Sequence, residues 1–181
     1  TLNRQLILWN SDGNQHMRFD LEEIISAIRF NVAEFGTRFI YLDNMTRLVD
    51  YLTARDANEF INRYASELES LCAELDIHID VFGHLNSPKT GADHESGGKA
   101  LLSQFTGSRG MMRSFPMMMA FERNKLSQAH ASKSCMSILK NRKYGHEGLI
   151  KTQYDTMTGR LVEQEWVNEG FLESFKNRED I

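Results

Sequence analysis

The first 83 residues alternate between two hydrophobic periods, and this alternation restricts the possible folds more than any other feature of the chain. Gln5-Leu6-Ile7-Leu8-Trp9 is a short apolar run bounded by polar residues, as in a buried strand. Ser11 to Asn14 is a turn. Asp20, with Glu23 three residues on, has the spacing of a helix capping box. Leu21, Ile24, Ile25, Ile28 and Val32 then recur at helical spacing, and Gly36 stands where a helix would end. Arg38–Asp43 is a second apolar strand ending in an acid, and Asn44–Arg55 is polar and irregular. Asp56 and Glu59 open a second helix, with Phe60, Ile61, Tyr64, Leu68, Leu71 and Leu75 as its buried stripe. Ile77–Gly83 is the third strand. Strand, helix, strand, helix, strand predicts βαβ units: an α/β fold whose mainly parallel sheet carries helices on its faces.

After Met117 the spacing changes. Met117–Arg123, Ser134–Lys140, Leu149–Tyr154 and Leu161–Glu165 are short runs split by turns such as YGHEG and TMTGR, the pattern of C-terminal antiparallel hairpin strands. Between the two halves lie long Gly-rich segments carrying Lys89, His94 and Lys99, and loops of that length in a compact domain are usually functional. Charge is unevenly spread. Residues 1–83 carry net −7 and no lysine, residues 84–146 net +7, and residues 147–181 net −4. The overall −4 argues against nucleic acid, but counterion release depends on local phosphate contacts, so the basic middle third suits either a nucleic-acid surface or a solvated basic face. No apolar run approaches the roughly 18 residues of a membrane span, and no signal-peptide pattern opens the chain. Cys72 and Cys135 sit in apolar periodic segments, as reduced core thiols do, which suits a cytosolic compartment.

Three positions carry candidate chemistry. Asp43 follows Phe39-Ile40-Tyr41-Leu42 at a strand's C-terminal end, where open α/β sheets bind ligands; it can hold Mg²⁺ through water or simply end the strand. His84 ends the next strand and can face the same crevice, as a phosphate sensor or as a loop cap. Lys140-Asn141-Arg142 ends a later strand, and Arg142 can meet a phosphate bidentately or serve only to solubilise. The histidines show no zinc spacing. Gly97-Gly98-Lys99-Ala100 falls short of a P-loop: Asp93 stands where the first Gly belongs, and Ala100 has no hydroxyl for Mg²⁺.

Taken in order, four segments resemble the RecA-like core of the hexameric replicative helicases, nearest the phage primase-helicases and the Twinkle group, with bacterial DnaB more distant. FIYLDN resembles the Walker B strand. FGHLNSPKTGADHESG resembles the strand-His-loop motif. FTGSRGMMRSFPMMMAFERN resembles the turn, helix and strand that follow it, and ILKNRKYGHEG resembles the strand of the trans-acting arginine finger. The resemblance covers roughly residues 4–166 and implies the C-terminal part of a helicase ATPase domain over 1–166, with an acidic tail over 167–181. The P-loop and catalytic glutamate, which the family places upstream of Gln5–Trp9, are absent from the sequence.

The resemblance implies a role for each site residue. Asp43 and Asn44 hold Mg²⁺ and ATP or another NTP. His84 reports the γ-phosphate. Arg142, with Lys140 beside it, reaches a neighbouring subunit's nucleotide. Arg113 stands near the family's usual Gln and substitutes as a phosphate contact. Lys89, Gly91, Lys99 and Arg109 contact single-stranded DNA. The implied assembly is a homo-oligomeric ring, with a hexamer as the family's form and no residue of this chain fixing the number. It translocates 5′ to 3′ in the cytoplasm of a bacterium or phage-infected host, or in the mitochondrial matrix. The acidic tail docks a replication polymerase or stays solvated. Two other classes remain: a RecA-like strand-exchange ATPase, and a non-catalytic DNA-binding or assembly module. The missing P-loop predicts that this chain alone neither binds ATP tightly nor hydrolyses it.

Overall fold

A computed structural model describes residues 20–49, 52–105, 109–128 and 131–164. The predicted strand Gln5–Trp9, the turn at Ser11–Asn14 and the acidic tail lie outside the described residues.

Helix α1 spans Leu21–Phe35. Its Asp20 N-cap accepts the Glu23 N–H at 2.8 Å, and the Glu23 carboxylate accepts the Asp20 N–H at 3.1 Å, so the predicted capping box is present. Gly36 ends the helix at φ 65°, the left-handed conformation glycine adopts without Cβ cost. Strand β1 (Phe39–Leu42) follows, and then a short helix, α2 (Thr46–Val49), inside the stretch expected to be irregular. Met45 and Val49 are buried there, and Leu48 and Leu52 pack against the same cluster, so four apolar residues in a largely polar stretch fold it onto the core. Helix α3 (Ala54–Leu75) starts earlier than Asp56. Its N-cap is Thr53, whose hydroxyl accepts the Asp56 N–H at 3.3 Å and donates to the Asp56 carboxylate at 2.6 Å. Strand β2 (His78–Val81) pairs parallel with β1, Phe39 against His78 through Leu42 against Val81.

The second half holds a 3₁₀ turn at Leu102–Gln104, helix α4 (Arg109–Ser114), and strands β3 (Met117–Arg123), β4 (Lys133–Asn141), β5 (Gly148–Asp155) and β6 (Arg160–Glu163). These four strands form an antiparallel meander in chain order. Among the described residues two strands pair in parallel, as the βαβ alternation predicts, and the four C-terminal strands are antiparallel, as their hairpin spacing predicts. Short turns decide this, since a parallel partner needs a crossover of a dozen or more residues and the turns after β4 and β5 are far shorter. Gly159 (φ 68°) closes the β5–β6 turn, where Asp155 accepts the Met157 N–H at 2.9 Å and the Thr158 hydroxyl at 2.6 Å.

The core lies where the inner faces of α1 and α3 meet both sheets. Leu21, Ile24 and Ile28 pack with Ile61, Tyr64, Leu68 and Leu71, and Met118 of β3 joins the same cluster. Ile40, Leu42, Ile79 and Val81 pack against it from the parallel pair. Burial pushes the Tyr64 phenol well above its usual value. Among the described residues no helix is long and apolar enough to cross a membrane.

Arg29 of α1 grips Glu74 of α3 through two bonds of 2.5 and 2.6 Å. The hydrogen bond from Arg29 holds the Glu74 carboxyl below its usual range, and the Thr158 hydroxyl does the same for Asp155. Both folded-state values are depressed. Each contribution is thus fully present above the ordinary carboxylate range and is lost as pH falls through it, from about 5 downward. The melting temperature is expected to drop over that window, and Glu74→Gln is expected to flatten the dependence. An unchanged pH profile in that variant would show that the α1–α3 pair contributes nothing.

Candidate functional site

The C-terminal edge of the parallel pair stays laced beyond its ladder. The Phe82 N–H donates to the Leu42 carbonyl at 2.9 Å, and the Met45 N–H donates to the Phe82 carbonyl at 2.9 Å. Those bonds fold both strand ends toward each other. Asp43 lies exposed one residue past β1, joined to Asn44 by a cis peptide. The Asn44 amide meets the His84 ring at 3.3 Å. The two strand ends that the sequence singled out are thus brought to one edge, with Asn44 as the direct contact of His84. One carboxylate with a neighbouring amide is a donor set that suits Mg²⁺, which keeps several waters and is commonly held by one or two carboxylates together with substrate phosphates.

A second cluster forms around the end of β4. The Arg142 N–H donates to the Pro116 carbonyl at 2.8 Å, extending the β3–β4 ladder by one bond. The Arg142 guanidinium, half exposed, lies 3.7 Å from the Glu69 carboxylate of α3. The Lys140 ammonium instead turns inward and donates to the carbonyls of Met112 and, at 2.6 Å, Phe115, at the C-terminal end of α4. Burial lowers its pKa, the Arg142 charge adds to that, and Glu69 opposes it. Arg113 is exposed on the last turn of α4. Lys140 and Arg142, two residues apart at one strand end, are engaged by different helices.

The third group is the loop between β2 and the 3₁₀ turn. Lys89 and Gly91 are exposed, and Gly91 has φ 90°. Lys99 is half-buried. Arg109 opens α4, and its side chain lies outside what is described. The loop's base is closely knit. His94 places its two ring nitrogens 3.4 Å from the Gly98 carbonyl and 3.2 Å from the Asn86 carbonyl. The Gly98 N–H donates to the Asp93 carbonyl at 2.8 Å. A Cβ on Gly98 would stand 2.0 Å from the Ala92 carbonyl oxygen, so only glycine fits. Leu85 bridges Phe105, and Ser96 bridges Asn124 just after β3.

Two residues at these sites were not legible as functional in the sequence, Glu69 and Glu122. Glu122 is 5% exposed and accepts the Ala100 N–H from the loop at 2.6 Å. The available signal was β3's alternation: Met118, Ala120 and Glu122 share the buried face, and an acid in that row must be satisfied internally. Glu69 carries no such signal, because an exposed helical acid is ordinary.

No protein-family model matches the chain, and no curated protein matches it. Solved structures do. The ATPase domain of a DnaB-like replicative helicase aligns with TM-score 0.61 and 19% identity, over 81% of this chain and 52% of that one. A second DnaB-like replicative helicase, solved in a study of its interactions with primase, aligns with TM-score 0.64 and 17% identity, over 81% of this chain and 36% of that one. The chain therefore has the fold of DnaB-like helicase ATPase domains, and it spans about half or less of the length of these structures.

Proposed function

We propose that this chain forms part of a ring-shaped replicative DNA helicase in which ATP binds between subunits. The observation that carries the reading is the Asn44–His84 contact at 3.3 Å beside Asp43, on a chain with the fold of a helicase ATPase domain. A nucleotide phosphate at this edge would meet a carboxylate that can hold Mg²⁺ and an imidazole already tied to that carboxylate's neighbour. Mg²⁺, when bound, neutralises charge on the phosphates. His84 leads directly into the loop of Lys89, Gly91 and Lys99, so a shift of its ring is passed to that loop. Lys89 and Lys99, with Arg109, then contact DNA phosphates, which fix position and carry no base information.

Arg142 acts on the neighbouring subunit's nucleotide, where a bidentate, permanently charged donor stabilises the phosphoryl group in transfer. Glu69 holds it within its own chain. Lys140 is a positioning group, since its ammonium is spent on the α4 carbonyls. Arg113, exposed at the end of α4, is a phosphate contact. The P-loop contacts come from outside these 181 residues. Among the described residues β2 pairs only with β1, and β3 only with β4 on its one side, so both strands keep an open edge that a further strand can complete.

A second reading has its own support. The sequence holds no P-loop, which favours a DNA-binding or assembly module without hydrolysis of its own. Hydrolysis by the longest natural form of this polypeptide separates the two. The helicase reading expects ATP turnover that rises several-fold with single-stranded DNA. No turnover with or without DNA would leave the module reading in place.

A further inference from the structure

We infer that Glu122 is a positioning residue that clamps the DNA-contacting loop to the strand leading into Arg142. The inference rests on the DNA role proposed above for Lys89 and Lys99. Three chain segments meet at this one carboxylate. Glu122 projects from β3 on its buried face. Its Oε1 accepts the Ala100 N–H of the loop at 2.6 Å. Its Oε2 accepts the Ser137 hydroxyl of β4 and lies 3.8 Å from the Cys135 thiol. Ala100, Ser137 and Cys135 are all fully buried.

An acid in such a place is costly. A carboxylate removed from water loses several kcal/mol of hydration unless it is hydrogen-bonded. A neutral apolar residue at this position would avoid that cost. What the acid adds is connection. Both oxygens are used, one toward the loop and one toward β4, and Ser137 lies five residues before Arg142 in the chain. Two further links sit beside the clamp. The Lys125 N–H donates to the Glu95 carbonyl at 2.8 Å, and the Lys125 ammonium meets the Glu95 carboxylate at 3.1 Å. The loop base from Glu95 to Ala100 is thus fastened to β3 and the residues just after it, while Lys89 and Gly91 remain exposed beyond the fastening. The carboxylate makes loop position and strand position one variable, which is what a motor needs if DNA contact is to follow the state of Arg142.

The test uses the 181-residue chain with Glu122→Met, Glu122→Gln and Ser137→Ala. Amide exchange at Ala100 reads the clamp, and anisotropy of a labelled oligothymidylate over a salt series reads DNA contact. Glu122→Met is expected to speed Ala100 exchange at least about tenfold, as the loss of a charge-assisted hydrogen bond does. It is also expected to weaken DNA binding and flatten its salt dependence, because the lysines lose their fixed placement. Glu122→Gln keeps an acceptor for Ala100 and is expected to restore both readouts, a rescue that a merely space-filling role would not show. Wild-type exchange at Ala100 in a folded Glu122→Met chain overturns the clamp. If that variant does not fold, Ser137→Ala decides: faster Ala100 exchange supports the clamp and unchanged exchange overturns it. A wild-type chain that fails to bind the oligonucleotide overturns the DNA role instead, and the Ala100 exchange still judges the clamp on its own.

Discussion

Arg142→Ala is expected to lower DNA-stimulated ATP hydrolysis by the longest natural polypeptide about a thousandfold or more, the scale of an arginine finger. Nucleotide binding should persist, because the finger acts on charge that develops as the phosphoryl group moves. Within its own chain the variant loses one half-exposed ion pair at 3.7 Å, and such pairs contribute about 1 kcal/mol at most. The fold should therefore survive, and circular dichroism with melting temperature would check it. Lysine is a poor substitute, since it cannot present two parallel donors. Mixing subunits tests whether the residue works across an interface. Arg142→Ala subunits keep Asp43, and Asp43→Ala subunits keep Arg142, so mixed rings contain some intact sites and should recover part of the rate. Failure of mixtures to recover any activity, with assembly intact, would place Arg142 in its own subunit's chemistry. An unaffected single variant would remove it from the mechanism.

The second large effect is on stability. Leu68 is 2% exposed on α3, packed among Ile61, Tyr64, Leu71 and the residues of α1. Leu68→Ala deletes three heavy atoms from this buried cluster, and about 2–5 kcal/mol of stability should go with them. For a domain of this size that is a fall in melting temperature of roughly 5–15 °C. The neighbouring residue is Glu69, the partner of Arg142, so the variant also loosens the helix that holds the guanidinium. Differential scanning calorimetry beside an exposed control, Glu67→Ala, would measure it. A loss under about 1 kcal/mol would mean that α3 is not a central element of the core.

How much of this could be read from residues alone varied with the physics involved. The helices were legible because their stripes repeat every three to four residues and because Asp20, Glu23 and Gly36 mark the ends of α1 chemically. The last three hairpin strands were legible because the Gly-containing turns YGHEG and TMTGR separate them. The start of α3 was placed late, since Thr53 caps as well as Asp56 would and only the geometry chooses between them. Helix α2 was missed because one turn is too short to show a period. Asp43 and His84 were found from strand ends, a local pattern. Their meeting through Asn44 depends on two backbone bonds between segments some forty residues apart, which no local pattern encodes. The inward turn of Lys140 escaped for a related reason: alternate positions on β4 were clear, but the carbonyls awaiting its ammonium belong to α4 and the residue after it.

The tight crossing at Gly98 also sets the terms on which this loop can change over generations. Any side chain at 98 meets the carbonyl of Ala92 before it meets solvent, so replacements there are rejected at the backbone, whatever their polarity. Around Lys89 the chain is exposed and a substitution there meets only water, whereas Gly91, at φ 90°, is kept as glycine by its backbone. Descendants of this sequence are thus free to vary what the loop presents while inheriting unaltered the knot that holds it, so that new contact chemistry can be tried at the tip without rebuilding the base.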